Sequence, residues 1–103
     1  MKIDIDNLLG EGEGNLYLGT AVKIETTFET APDSVTISIR TPSGILVVED
    51  VAMTEEIDTF YNYVYQSVVG GVEGDYIVTV KAVLGAYTEV GETTFNLVRQ
   101  AFQ

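Results

Sequence analysis

Two groups of oxygen-bearing side chains, nearly all acidic, are the residues of this chain whose chemistry could go beyond packing. The first group is Asp4, Asp6, Asn7, Glu11 and Glu13, and the second is Glu49, Asp50, Glu55, Glu56 and Asp58. Several oxygen ligands from one compact loop would suit calcium. However, residues 4–9 lack the central glycine of an EF-hand loop, and scattered acids are typical of a solvated surface on a chain of net charge −11. The sequence therefore predicts no cofactor, with calcium as the alternative.

Other catalytic chemistry has few residues to use. Histidine, cysteine and tryptophan are absent, which excludes Ser-His-Asp and Cys-His arrangements and the usual zinc sites. A glycosidase needs two acids across a deep cleft, whereas the acids here lie mostly at alternate, outward positions or in turns. The glycine-rich residues 10–14 lack the lysine of a phosphate loop, and their glutamates would repel phosphate. We therefore predict that the chain is not an enzyme.

Composition and charge limit the partners. The 103 residues are 46% hydrophobic and rich in Val, Ile, Thr, Tyr and Phe, which favours a single all-β domain. Five basic against sixteen acidic side chains disfavour nucleic acid and anionic membranes. No apolar run approaches the roughly 20 residues of a membrane span, and residues 1–6 alternate with acids as no secretory signal does. We expect a soluble protein that acts, or is assembled into a particle, where it is made.

The sequence predicts a fold built from β-strands. Residues 74–83 alternate most clearly, with Tyr76, Val78, Val80 and Ala82 on one side, which predicts a strand with one face on a core. About seven such segments occur, with turn signals every 8–12 residues, as in a sandwich or barrel. Three glycines in residues 10–14 predict a hinge. The predicted organisation is an N-terminal arm and hinge (1–14), a sandwich (15–98) and a short tail (99–103).

The segment 59–68 offers two opposite faces, and alternation alone does not decide which faces the core. We favour Tyr61, Tyr63 and Tyr65 inward, with Phe60, Val64 and Val68 as an outward apolar strip that marks an interface. The alternative is an exposed tyrosine platform for carbohydrate or peptide. The predicted partner-binding residues are Ile3, Ile5, Leu8, Leu9, Phe60, Val64, Val68 and Phe102. Gly74 and Tyr76 are predicted to be structural.

Five segments carry a resemblance to a known family. Residues 17–24, 32–39, 41–44, 60–65 and 74–80 resemble, in order and spacing, the small bacterial immunoglobulin-like domains of tailed phages, proviruses and repeated surface proteins. The resemblance implies an immunoglobulin-like Greek-key β-sandwich, with the Tyr76 hydroxyl bonded to the backbone across the turn before its strand. Residues 1–14 lie outside the resemblance.

The function that the resemblance implies is structural or adhesive. Free-standing chains of this length resemble small virion proteins, which decorate the capsid or build the neck or tail. The expected partners are then other virion proteins or copies of the chain itself, with an oligomeric state in the particle. The alternative is a carbohydrate- or cell-surface-binding adhesion module on an extracellular surface, with loop residues and Tyr87 or residues 61–65 as its platform.

Overall fold

The computed structural model describes residues 1–8 and 16–99 of the chain. This part of the chain contains strands and no helix, so nothing in it could cross a membrane as a helix. The nine strands are β1 (Lys2–Asn7), β2 (Leu16–Tyr17), β3 (Ala21–Thr27), β4 (Ser34–Arg40), β5 (Leu46–Ala52), β6 (Thr54–Ile57), β7 (Phe60–Gln66), β8 (Gly74–Leu84) and β9 (Tyr87–Val98). The predicted all-β class is confirmed, with nine strands rather than about seven.

The strands form two sheets. A four-stranded sheet has the order β1-β3-β7-β6, and a five-stranded sheet has the order β2-β9-β8-β4-β5. β2 is parallel to β9, whereas the other pairings are antiparallel. This arrangement is consistent with a β-sandwich.

The core lies between the sheets because β3, β4 and β8 each bury every second side chain. Its fully buried members are branched aliphatic residues from both sheets, which pack well on a pleated surface. They include Val22, Ile24, Ile37, Ile39, Val78 and Val80.

The predicted N-terminal arm is instead a strand of the four-stranded sheet. β1 pairs with β3 along its whole length, from Lys2 opposite Thr27 to Asn7 opposite Val22. Met1, Ile3 and Ile5 pack against the core. The two isoleucines of β1 bury one face, and the ladder satisfies the backbone, so this segment gains more by pairing than by extending into solvent. The predicted hinge at residues 10–14 lies outside the described residues.

β9 is twice as long as the alternation of residues 93–98 predicts. It pairs with β8 from Tyr87 opposite Leu84 to Leu97 opposite Gly74, around a two-residue turn. Its first half contains two glutamates and a glycine, so no apolar alternation marks it as a strand. The strand follows the Gly85–Ala86 turn at once.

Candidate functional site

The best candidate contact surface is the loop between β7 and β8, residues 67–73, here called the valine loop. Val68, Val69 and Val72 are 64%, 62% and 53% exposed. Three exposed valines within five residues are costly to hydrate, and exposed apolar clusters of this kind mark protein interaction sites.

The first half of the valine loop is held by Ser67, whose side chain is buried. Its hydroxyl donates to the Thr20 carbonyl at 2.6 Å and accepts from the Gly19 N–H at 2.9 Å. The Gly71 N–H then closes a turn on the Val68 carbonyl at 2.9 Å. These bonds fix the loop backbone to the start of β3, so the valines are presented on a defined frame.

The second half is held by Tyr76. Its hydroxyl donates to the Val72 carbonyl at 2.7 Å, which is the hydrogen bond across the turn that the resemblance implies. Its ring stacks on Phe95 with centroids 5.4 Å apart, and Tyr65 lies against both rings. Burial raises the pKa of Tyr76 above its usual value, so the hydroxyl stays protonated and able to donate further into alkaline pH than a free phenol does.

Gly74 completes this corner. Its φ is +129°, a backbone conformation that favours glycine, and a Cβ atom there would lie 2.9 Å from Cγ of Pro42. The predicted structural residues Gly74 and Tyr76 therefore stand side by side, between the valine loop and the core.

The predicted partner-binding residues do not form one surface. Ile3 and Ile5 are half-buried and pack against the core. Leu8 and Val64 are exposed, Phe60 is half-buried, and Leu9 and Phe102 lie outside the described residues.

The predicted apolar strip on β7 is interrupted. Asn62 stands between Phe60 and Val64 and donates a hydrogen bond to Glu56. Val68 lies beyond the end of β7, so the structure groups it with Val69 and Val72 instead. Val69 and Val72 were not among the predicted contact residues, although apolar residues inside a glycine-rich turn were a usable signal.

The tyrosines of β7 face inward, as favoured from the sequence. Tyr61 is buried, and Tyr63 and Tyr65 pack against the core. An exposed platform at residues 61–65 is therefore excluded. Tyr87 differs, because 81% of it is exposed.

Tyr87 borders a cavity of about 530 Å³ at the end of the sandwich opposite the valine loop. Phe28, Leu84 and Tyr87 contribute apolar surface to its lining. The β8–β9 turn beside it is anchored, since the Gly85 N–H donates to the Asp33 carboxylate at 2.7 Å. The cavity could hold a small ligand against the Tyr87 ring.

The acidic groups of the sequence do not converge. Among residues 1–8 and 16–99, no three acidic side chains come close enough together to hold a metal ion. Glu55 accepts a hydrogen bond from the Tyr61 hydroxyl, and Asp6 accepts one from the Asn7 N–H. Glu11 and Glu13 lie outside the described residues.

Comparison with known proteins gives a likeness of fold. No protein-family model and no curated protein matches the chain. One similar solved structure is an engineered protein determined by crystallography at 1.98 Å, with a TM-score of 0.60 and 15% sequence identity. The alignment covers 94% of this chain and 20% of that protein, so the chain spans about a fifth of its length. At this identity the likeness concerns the fold alone.

Proposed function

We propose that the sandwich has the immunoglobulin-like Greek-key topology. The order β1-β3-β7-β6 corresponds to strands A-B-E-D of that fold, and β9-β8-β4-β5 corresponds to G-F-C with an added edge strand. Tyr76 supports the same assignment. It stands near the start of the strand equivalent to F and bonds the backbone four residues upstream, as in a tyrosine corner.

On that fold we propose a non-enzymatic structural protein of a tailed-phage or provirus virion, as a capsid decoration, neck or tail component. The observation that supports a role in protein–protein contact is the valine loop. It exposes three valines, and hydrogen bonds of Ser67 and Tyr76 hold its backbone in place. The family resemblance of residues 17–80 supports the virion setting. The partners are other virion proteins or copies of the chain, and the net charge of −11 argues against nucleic acid or an anionic membrane.

The test is incorporation into particles produced from the genome that encodes the chain, scored by mass spectrometry of purified particles. The triple variant Val68→Ser, Val69→Ser, Val72→Ser should be lost from the particles while its thermal midpoint stays close to that of the parent chain, because these side chains are exposed. The matched control replaces Val47, Val51 and Ile57, which are also exposed but lie on other elements, by serine.

Particles produced with the control variant should contain it in the normal amount. If the two triple variants were present in particles in equal amounts, the valine loop would not be part of the interface. Absence of the parent chain from purified particles would overturn the virion role itself.

A second candidate is a carbohydrate- or cell-surface-binding adhesion module. The observation that favours it is the cavity of about 530 Å³ beside Tyr87. Binding on a glycan array, with and without calcium, should then be lost in Tyr87→Ala and kept in Tyr17→Ala, which also replaces an exposed tyrosine. No binding by the parent chain would dispose of this candidate.

A further inference from the structure

Along most of β9, residues 1–8 and 16–99 provide no strand on the outer edge of the five-stranded sheet. β2 pairs only with Leu97 and Val98, and the Leu18 N–H donates to the Val98 carbonyl at 2.9 Å. The backbone of Val98 therefore points to this edge. Since backbone groups alternate in direction along a strand, those of the even-numbered residues before it point the same way.

Four of these residues lie beyond the reach of β2: Thr88, Val90, Glu92 and Thr94. None of them pairs with any described residue on this edge, and all four are exposed. Each offers one N–H and one C=O to an incoming strand. A regular, exposed edge of this length is a template for strand addition.

The other edges of the described sheets are less suited to pairing. β6 has only four residues and carries Glu55 and Glu56. β5 is interrupted where Asp50 takes a φ of 45° and the register with β4 shifts. β1 carries three charged side chains in six residues. Charges, bulges and short length are the usual protections of sheet edges, and the β9 edge has the fewest of them.

We propose that β9 pairs antiparallel with β9 of a second copy of this chain, about a two-fold axis at Gly91, so that the two five-stranded sheets become one continuous sheet. This proposal goes beyond the proposed virion function and does not rest on it. In this register Thr88 lies opposite Thr94 of the second copy, and threonine pairs of this kind stabilise sheets.

The same register matches charges. Within one chain Lys81 lies opposite Val90 on the outer face of the sheet. Across the new pairing, Val90 lies opposite Glu92 of the second copy. Lys81 and Val90 of one copy then lie in one cross-strand row with Glu92 of the second copy. The long lysine side chain can reach along this row to the carboxylate. The two-fold axis repeats this row once more.

Neighbouring registers are poorer. A shift by two residues in one direction places Glu92 opposite Glu92 of the second copy, which is a direct like-charge pair. A shift in the other direction carries Thr94 past Thr88 to the Gly85–Ala86 turn and loses its hydrogen bonds. The Gly91 register is the one that pairs all four free residues with one another.

Each copy carries a net charge of −11, so long-range repulsion opposes the dimer. Added salt screens this repulsion, because the Debye length falls from about 8 Å at 0.15 M to about 3 Å at 1 M. An edge-to-edge pairing is also small, and small interfaces are weak. We therefore expect a weak dimer that strengthens as salt is added.

The experiment is sedimentation equilibrium of the purified full chain up to about 1 mM, in low salt and in about 0.5 M NaCl. The parent chain should dimerise, more tightly at the higher salt. Val90→Pro removes an N–H that points to the edge without breaking the β8–β9 ladder, and it should weaken the dimer at least about tenfold. Val90→Thr keeps the N–H and should dimerise like the parent.

Two charge variants test the register. Glu92→Lys and Glu49→Lys both change the net charge from −11 to −9, and Glu49 lies on the exposed edge strand β5. Lower net charge should tighten the dimer in Glu49→Lys, whereas Glu92→Lys should weaken it by placing a second positive charge in the row of Lys81 of the second copy. A parent chain that stays monomeric at every salt, an unaffected Val90→Pro, or a Glu92→Lys that dimerises as well as Glu49→Lys would each overturn the proposal.

Discussion

The two ends of the sandwich differ in how the space between the sheets is filled. At the end with the valine loop, the rings of Tyr65, Tyr76 and Phe95 fill the space between the sheets. At the other end a cavity of about 530 Å³ stands open beside Phe28 and Tyr87.

Side-chain size decreases along the inward face of β8, from Tyr76 through two valines to Ala82. Opposite Tyr76 stands Phe95, and opposite Ala82 stands Glu89. Rings therefore fill one end of the sandwich, whereas Ala82 and Glu89 line the cavity at the other. One hairpin thus contributes both to the stability of the corner under the valine loop and to the room for a ligand.

Removal of a ring from the closed end should have the largest effect on stability. Phe95→Ala deletes a buried aromatic side chain and should cost about 3–5 kcal/mol of unfolding free energy, through lost burial and the cavity left behind. Tyr87→Ala at the open end should cost less than about 0.5 kcal/mol, since Tyr87 is mostly exposed. Urea denaturation of both variants measures the difference, and equal losses would contradict the comparison.

Two glycines should differ in the same way. At the closed end Gly74→Ala forces a side chain into a positive φ and places Cβ against the rigid Pro42 ring, so we expect a loss of about 1–3 kcal/mol. In the middle of the β8–β9 ladder, outside the closed end, the Cβ of Gly91→Ala would lie 2.7 Å from Sδ of Met1, the far part of a flexible side chain. Met1 can move away, so the cost should stay below about 1 kcal/mol. Thermal unfolding that ranks the two variants in the reverse order would contradict this account.

The hydroxyl of Tyr76 is a smaller term at the closed end. Tyr76→Phe keeps the ring stack on Phe95 but leaves the Val72 carbonyl without its donor, which should cost about 1 kcal/mol. A loss of this size lowers the midpoint by about 4–8 °C for a domain of this length. Tyr87→Phe is the matched control and should leave the midpoint unchanged. An unchanged midpoint in Tyr76→Phe would remove the role of the corner hydrogen bond.

Local alternation was predictable from the sequence, and contacts between distant segments were not. The alternation from Tyr76 to Ala82 depends on residues near one another in the chain. The inward face of β7 was favoured over an alternative that alternation left open, and the hydrogen bond of Tyr76 was implied by the family resemblance. The pairing of β1 with β3 and the anchoring of Gly85 by Asp33 join distant segments. No local pattern encodes such contacts. For this reason the alternating residues of β1, which precede three glycines, were interpreted as part of an arm.

The valine loop illustrates an intermediate case. Val68 was predicted to be exposed on the strand pattern of β7, and it is exposed, but its neighbours on the surface are not those of the strip. A glycine-rich turn reverses the chain direction after β7, which brings Val69 and Val72 to Val68 and leaves Phe60 at the far end of the strand. Period-two patterning holds only while the strand continues.

The smallest expected effect is the pH dependence of stability in alkali, which comes from tyrosines with raised pKa values. Burial raises the pKa of Tyr65 and Tyr76 at the closed end, and the neighbouring phenols of Tyr76 and Tyr63 raise the pKa of Tyr65 further. Burial also raises the pKa of Tyr61 beside Phe28, with further contributions from its hydrogen bond to Glu55 and from the negative charge of Glu55, Asp58 and Asp33.

Because these folded-state pKa values exceed the unfolded value, the contribution of each phenol to stability is fully present below about pH 10 and falls as the pH rises through the folded pKa. Unfolding free energies measured between about pH 8 and 11 should therefore decline less steeply in Tyr61→Phe and in Tyr65→Phe than in the parent chain. Added salt screens charges but does not alter burial. It should thus reduce the alkaline loss that Tyr61 causes more than the loss that Tyr65 causes, because the charged neighbours of Tyr61 are carboxylates and those of Tyr65 are phenols that ionise only in alkali. Equal salt sensitivity of the two losses would contradict this account.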